Sequence, residues 1–518
     1  MNKLKLLAAD NWLLIVVLII AAFFRFHNIT QLPPGLYPDE AMNGNNALEA
    51  ISTGNFKLFY PENGGREGLF INIQALSVYI FGNEPWALRS VSAIFGILTV
   101  LGVYLLALEI FQNNKKIALL SSFLIATSFW HINFSRIGFR AIMAPFFLIF
   151  AFYFLLKSVR FLKEKYFAVN GASEWKIFSI ASLAGLFYGF GFHSYIAYRV
   201  TPLLLIAGFA YRLFYFKELR KEIIKILAVF VLFSFLAFLP LGIYFLKHPA
   251  DFFGRTTQIS VFNSPTILKD LTVNILKTTG MFNFSGDFNW RHNYAGRPEL
   301  FWPVGILFLI GIIFGISILL KHKNKQDYAP GDEQVFTHYK KFSFFMFFLW
   351  IIIAALPIVV SNEGLPHALR AILMIPPIFI LAGAGGIWLY EFIKNKLQGA
   401  LAKKIFNIFS FIFLILLVFE AYNTYFNLWG KNQNVQGAFA ADYVQIGREL
   451  RNLPKELPKY VVVEAGGFDV RGLPMSAQTV MFITDTFTPE KQKGKNIFYV
   501  LPKEINQIPQ NAYTVNLK

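Results

Sequence analysis

Two adjacent carboxylates, Asp39 and Glu40, follow a proline in the run Leu36-Tyr37-Pro38-Asp39-Glu40. Asp after Pro commonly caps a helix, and Ala41 to Ile51 reads as helix, stopped by Ser52-Thr53-Gly54. A capping carboxylate keeps a lone pair, so Asp39 is also a candidate general base. Four further stretches carry arginine: Arg66-Glu67, then Ser135-Arg136-Ile137-Gly138-Phe139-Arg140, then His193-Ser194-Tyr195 through Tyr198-Arg199, and Pro366-His367-Ala368-Leu369-Arg370. If the turn at 135–140 is helical, Arg136 and Arg140 share a face. Guanidinium makes planar two-point contacts with phosphate that an ammonium cannot match. Each group also has a plainer use. Arginines at span ends snorkel, Tyr195 and Tyr198 suit an aromatic belt, and His193 and His367 suit ordinary hydrogen-bonded positions. Their recurrence without lysine points to an anionic head group held near Asp39.

A membrane is what would hold these groups at one level. The 518 residues are 55% hydrophobic and only 15% charged, whereas a soluble globular chain carries roughly a quarter charged residues. Apolar runs near spanning length recur at about 11–27, 85–111, 117–131, 141–156, 177–192, 200–216, 226–246, 301–320, 342–360, 371–390 and 405–426. They predict a polytopic α-helical membrane protein of about 11 spans. The net charge of +18 sits in lysine clusters that close alternate spans: Lys115-Lys116, Lys157 to Lys176, Lys217 to Lys225, the stretch to Lys341, and Lys394 to Lys404. That side reads as cytoplasmic, with the Lys3 and Lys5 end. Asp39, Arg136, Arg199, Asn289 and His367 then share the outer side. Charge used for orientation argues against nucleic acid and suits anionic membrane lipids. The absence of cysteine excludes disulfides, thiolate nucleophiles and Cys-based metal sites. No small-residue cleavage site follows Trp12 to Phe24, so the first span is expected to be retained in the cell membrane, a prokaryotic plasma membrane.

Between the first two spans lies a long segment, 28–84, in which Met42, Ala47, Leu48 and Ile51 share a helical face. This predicts a helix lying along the interface. The tail changes character. Asp442 to Leu453 has helical spacing, while Tyr460 to Val463, Thr479 to Ile483 and Asn496 to Leu501 read as strands. The expected division is a transmembrane part, 1–426, and a small exoplasmic α/β domain, 427–518.

The order of these features resembles the GT-C class of membrane glycosyltransferases, which includes protein O-mannosyltransferases and bacterial aminoarabinose transferases. The residues that carry the resemblance are Tyr37-Pro38-Asp39-Glu40, the Arg66-Glu67-Gly68 turn entering a second interfacial helix, Ser135-Arg136, Tyr195 to Arg199, and Pro366-His367 to Arg370. It covers about residues 10–390. One departure is that relatives often carry Lys or His followed by Pro-Pro where this chain has Arg66-Glu67-Gly68. The resemblance implies a polyprenyl-phosphate sugar donor and a lipid, protein or glycan acceptor. No Walker or Rossmann loop is needed, and none precedes a helix. On this reading Asp39 and Glu40 are the catalytic pair. Arg66, Arg136, Arg140, Arg199 and Arg370 bind the donor phosphate, and Glu67, His193, Tyr195, Tyr198 and His367 contact substrate. Direct displacement would invert the anomeric carbon. The cofactor question stays open: Glu40 or Glu67 would orient Asp39, bind acceptor hydroxyls, or help hold a divalent metal with a histidine. Two other classes fit in part. A lipid-linked polysaccharide polymerase or ligase also uses outer arginines, without needing an Asp-Glu pair after the first span. A transporter or flippase of an anionic lipid would need ionisable groups at mid-depth and broken central helices, whereas Glu109 and Glu420 lie near span ends.

Overall fold

The computed structural model describes residues 2–167, 171–215, 219–258, 261–321 and 332–518. Lys217 and positions 322–331 of the expected basic stretch lie outside the described residues. Eleven helices fall where the apolar runs were read: Asn2–Phe26, Pro85–Ile110, Lys115–Ala126, Met143–Phe167, Glu174–Gly191, Thr201–Tyr215, Arg220–Lys247, Trp302–Leu320, Asp332–Val359, Ile375–Lys396 and Ala400–Tyr422. Among the described residues, seven helical segments are long and apolar enough to cross a membrane. The others have shorter apolar stretches, that of the first helix being Asn11–Phe26. Lys115–Ala126, with 12 residues, reaches only about 18 Å at 1.5 Å per residue, against a hydrocarbon core of about 30 Å. The chain is a multi-pass membrane protein.

The segments around Met143–Phe167 and Ile375–Lys396 are almost wholly enclosed, while Ala400–Trp429 is peripheral. Helices approach closely where side chains are small. A Cβ at Gly311 would lie 2.1 Å from the Leu381 carbonyl, and one at Gly385 would lie 2.2 Å from that of Leu307. Only glycine lets Trp302–Leu320 and Ile375–Lys396 meet backbone to backbone. At one end of the bundle the lysine-bearing segments pair with acids: Lys116 with Glu391, Arg160 with Glu109, Lys165 with Glu174, and Lys225 with Glu222.

The segment after the first span forms a helix, Pro38–Thr53, a hairpin of Phe59–Tyr60 on Arg66–Glu67, and a second helix, Gly68–Phe81. Pro38 opens the first helix and Gly54, at φ +70°, ends it. Its apolar face packs against the tail. Leu48 and Ile51 pack with Val444, Phe482 and Ile483 of the tail, and Met42 enters the tail's own core. A Cβ at Gly44 would lie 2.4 Å from the Phe482 ring. The tail contains a parallel three-stranded sheet in the order Ile497–Val500, Lys459–Val463, Tyr513–Leu517. The helix expected at 442–453 runs from Ala441 to Asn452. The strand expected at Thr479 to Ile483 is instead part of the helix Gln478–Thr484. All seven residues of that helix are buried, so neither face shows a polar period, and β-branched composition alone misled the assignment. Asn45 Nδ2 donates to the Gln478 carbonyl at 3.0 Å, Thr479 Oγ1 to the Leu36 carbonyl at 2.9 Å, and Asn83 Nδ2 to the Phe482 carbonyl at 2.9 Å. The tail thus clamps the helix that carries Asp39.

Candidate active site

Asp39 and Glu40 leave the same helical turn in different directions. The cap position belongs to Tyr37, not Asp39. Glu40, three residues on, accepts the Tyr37 backbone N–H at 3.3 Å and so does the capping. Asp39 is half-buried, and its Oδ1 accepts from Asn63 Nδ2 at 2.7 Å. Asn63 stands in the turn between the two short hairpin strands, so the hairpin fixes the Asp39 rotamer.

Glu40 is fully buried and fully engaged. Arg89 Nε and Nη2 grip its two oxygens at 3.0 Å each, and the Gly138 N–H donates to Oε2 at 2.6 Å. Arg89 also donates to the carbonyls of Pro33 and Gly35. Glu40 therefore ties three segments together and has no lone pair directed at a substrate. The expectation of a catalytic or metal-binding Glu40 is corrected on that ground.

The arginines divide. Arg66 is buried beside the acid-bearing helix and donates to the side-chain oxygens of Asn43 and Asn46 at 2.7 and 2.5 Å. Burial, and next the charge of Arg140, lower its guanidinium to about 10, while Glu62 and Asp39 act in the opposite sense. It stays charged near neutral pH with no carboxylate in direct contact among the described residues. Glu67 is buried and meets two arginines: Arg140 at 2.8 Å and Arg199 at 3.5 Å. Both are partly exposed, 12% and 18%. Arg140 Nη2 also reaches the Gly65 carbonyl at 3.4 Å, in the turn that holds Asn63. Its guanidinium lies 5.7 Å from the Tyr195 ring centre, and Arg199 lies over Phe252 at 4.3 Å. Three cations, Arg66, Arg140 and Arg199, thus stand around Glu67 and Asp39, with Glu62 near enough to Arg66 to act on its charge.

Arg136 and Arg370 stand apart from it. The chain leaves its helix at Phe134 and re-enters a helical turn only at Arg140, so Arg136 and Arg140 do not share a face. Arg136 is buried, donates to the carbonyls of Phe24 and Leu32, and lies over Tyr425 and Phe426. It braces the bundle and faces no phosphate site. Arg370 pairs with Glu363 at 2.8 Å and bonds to Ser361. Of the expected substrate contacts, Tyr195 faces the arginine group. Tyr198 is fully buried against Gly191 and Tyr188, a packing position, and His193 Nε2 meets the Ala237 carbonyl at 3.0 Å, near enough to Glu67 to feel its charge. His367 lies elsewhere, beside Asp287 and His292, the three together forming a group able to hold a metal. Three neighbours of the site went unread in the sequence: Asn63, Asn43 and Arg291, whose guanidinium lies 3.8 Å from the Tyr37 ring centre.

Residues 69–244, about a third of the chain, match the sequence model of the dolichyl-phosphate-mannose-protein mannosyltransferase family. That match holds Arg136, Arg140 and Arg199 but begins after Asp39. No curated protein matches at the sequence level. Among solved structures, the oligosaccharyltransferase of Archaeoglobus fulgidus tethered with an acceptor peptide overlays at TM-score 0.56 and 14% identity, covering 97% of this chain and 66% of that one. The same organism's oligosaccharyltransferase AglB in complex with an inhibitory peptide and a dolichol-phosphate gives 0.55 and 14%, covering 92% and 64%. The chain therefore spans just under two thirds of the archaeal enzyme's length. ArnT from Cupriavidus metallidurans bound to undecaprenyl phosphate overlays at 0.53 and 13%, covering 98% of this chain and 90% of that one. The resemblance read from Asp39-Glu40 and the arginines is borne out at the level of architecture: this chain has the fold of the GT-C membrane glycosyltransferases.

Proposed function

We propose that the chain transfers a sugar from a polyprenyl-phosphate donor to an acceptor hydroxyl, with Asp39 as the general base. The observation that carries this reading is the excess of guanidinium around Glu67, next to a carboxylate oriented by a single amide. The leaving group of such a donor is a lipid phosphate. Arg140 and Arg199 are partly exposed and share one counter-ion, so they are suited to take up the phosphate's charge as the bond to the anomeric carbon breaks. Arg66 supplies a third positive charge behind them. The acceptor oxygen attacks that carbon from the opposite side as Asp39 takes its proton, and the configuration inverts. Glu40 acts through position only, holding the turn from which Asp39 projects. Similar proteins bound to dolichol-phosphate and undecaprenyl phosphate support a lipid-phosphate donor.

The lysine-rich end of the bundle is proposed to face the cytoplasm, with the N-terminus, and the Asp39 end the exterior. Residues 427–518 then form an outer domain. Its grip on Pro38–Thr53 makes it a candidate wall for a lipid, protein or glycan acceptor.

The test is direct. The full chain in lipid nanodiscs is given polyprenyl-phosphate sugars, and transfer is followed by mass. Asp39→Asn is expected to lower the rate by about 10²–10⁴-fold, the usual span for a general base, with unchanged thermal unfolding. Wild-type rates in a folded Asp39→Asn variant would remove this mechanism.

A further inference from the structure

One group of side chains away from Asp39 remains unused. Asp287 and His292 belong to the irregular segment before Trp302–Leu320, and His367 to the segment before Ile375–Lys396. One ligand atom from each lies within 4.8 Å of the others. Asp287 and His292 are 3% and 6% exposed, and His367 is partly buried. His292 Nδ1 is 3.0 Å from Asp287 Oδ2, and His367 Nδ1 is 3.9 Å from the same oxygen. The two imidazole rings stack with centres 4.9 Å apart.

We propose that Asp287, His292 and His367 form a binding site for a divalent transition metal of the zinc type. One carboxylate and two imidazoles, without thiolate, are a donor set that zinc accepts, with a fourth position left open. A tetrahedral ion with bonds of roughly 2.0–2.2 Å holds its ligand atoms about 3.4 Å apart. The separations of 3.0 and 3.9 Å bracket that value, and the third, between the two imidazole nitrogens, is within 4.8 Å.

The surroundings orient the carboxylate as an outer shell does for a ligand. The Ala368 N–H donates to Oδ2 at 2.9 Å and the Asn289 N–H to Oδ1 at 2.8 Å. The Asp287 N–H donates to Glu299 Oε1 at 2.9 Å, and its carbonyl accepts from Asn293 Nδ2 and the Gly296 N–H. No Lys or Arg pairs with Asp287 among the described residues; Arg291, four positions on, and Arg370, three after His367, have other partners. A bound cation would supply the missing counter-charge. This site does not rest on the transfer reading, and its test reads metal alone.

The full chain is purified in detergent through a tag without histidine, stripped with chelator, and titrated with Co²⁺ and then Zn²⁺. We expect one equivalent of Co²⁺ with visible ligand-field bands, displaced by one equivalent of Zn²⁺. Asp287→Asn, His292→Ala and His367→Ala are each expected to weaken binding by at least about a hundredfold, since even outer-shell changes cost up to that much. His248→Ala, elsewhere in the chain, retains it. His367→Ala, at the most exposed of the three positions, keeps the comparison open if the buried variants fail to fold. No stoichiometric metal on the wild type, or unchanged binding in His367→Ala, would overturn the proposal.

Discussion

Glu40 and Glu67 stand in the same connecting segment, and both meet arginine, yet they are opposite in kind. Glu40 has one partner, Arg89, and both are shut away, at 0% and 1% exposure. Each oxygen of the carboxylate takes a guanidinium nitrogen, and the Gly138 amide adds to one of them. Glu67 is as deeply buried but serves two arginines that reach the surface. A closed one-to-one pair has no charge to offer and can only hold structure. An anion shared by two cations leaves charge over, on the side where a ligand can reach it. Burial of the acid does not separate the two cases; the count and exposure of the cations does.

The largest effect is expected where the closed pair is broken. Arg89→Ala leaves a buried carboxylate without its cation, which costs about 3–5 kcal/mol. Thermal unfolding of the detergent-purified protein should fall steeply. Glu40→Gln should fall less, because an amide oxygen can still accept the Gly138 N–H. An Arg89→Ala protein as stable as wild type would mean that the pair is not scaffold, and the contrast with Glu67 would lose its basis.

Much of the frame is legible in the sequence because a bilayer imposes long apolar runs and sorts lysine to one side. The other four helices follow the same runs less clearly, since each has a shorter apolar stretch. The site was legible by residue type but not by direction. Arg136 and Arg140 both read as phosphate ligands, and only the break in the helix after Phe134 turns one into the bundle. Glu40 looked like Asp39's twin because its partner lies 49 positions away, inside a span. A signal was present: Arg89 and Glu109 are the only charges in the run 85–111, at its opposite ends, and such residues call for partners. Asp287, His292 and His367 had no such signal. Their spacing across 80 positions fits no short motif, and only tertiary folding brings them together.

The open pair should respond in binding rather than in stability. Arg140→Ala or Arg199→Ala leaves Glu67 with one cation still in place, so unfolding should change little. Loss of a charge-assisted hydrogen bond to phosphate is worth roughly 1.5–3 kcal/mol, so KM for the lipid-phosphate donor should rise about 10–100-fold. Arg140→Lys should recover part of this, since an ammonium keeps the charge but not the planar fork. An unchanged donor KM in both alanine variants would show that the excess charge serves something other than the phosphate.

The smallest effect is expected at a third group with the inverse count. Arg471 of the tail bridges Glu49 at 2.9 Å and Glu62 at 3.0 Å, one cation for two acids, and it is 39% exposed. Pairs so open contribute at most about 1 kcal/mol, so Arg471→Ala should cost no more than that near neutral pH. The sign of its pH dependence is distinctive. Burial pushes the Glu62 carboxyl up, but the hydrogen bond and charge of Arg471, with Glu62's own backbone N–H and the charge of Lys57, outweigh this and hold it below its ordinary value. A depressed carboxyl adds stability above its unfolded-state pKa and loses it as pH falls through the folded one. Arg471→Ala removes its share of that depression and leaves the burial. The variant should therefore differ from wild type at neutral pH and converge with it below the ordinary carboxylate range. No gap at neutral pH would mean that the tail is held to Pro38–Thr53 by its apolar contacts alone, with the ion pairs merely following.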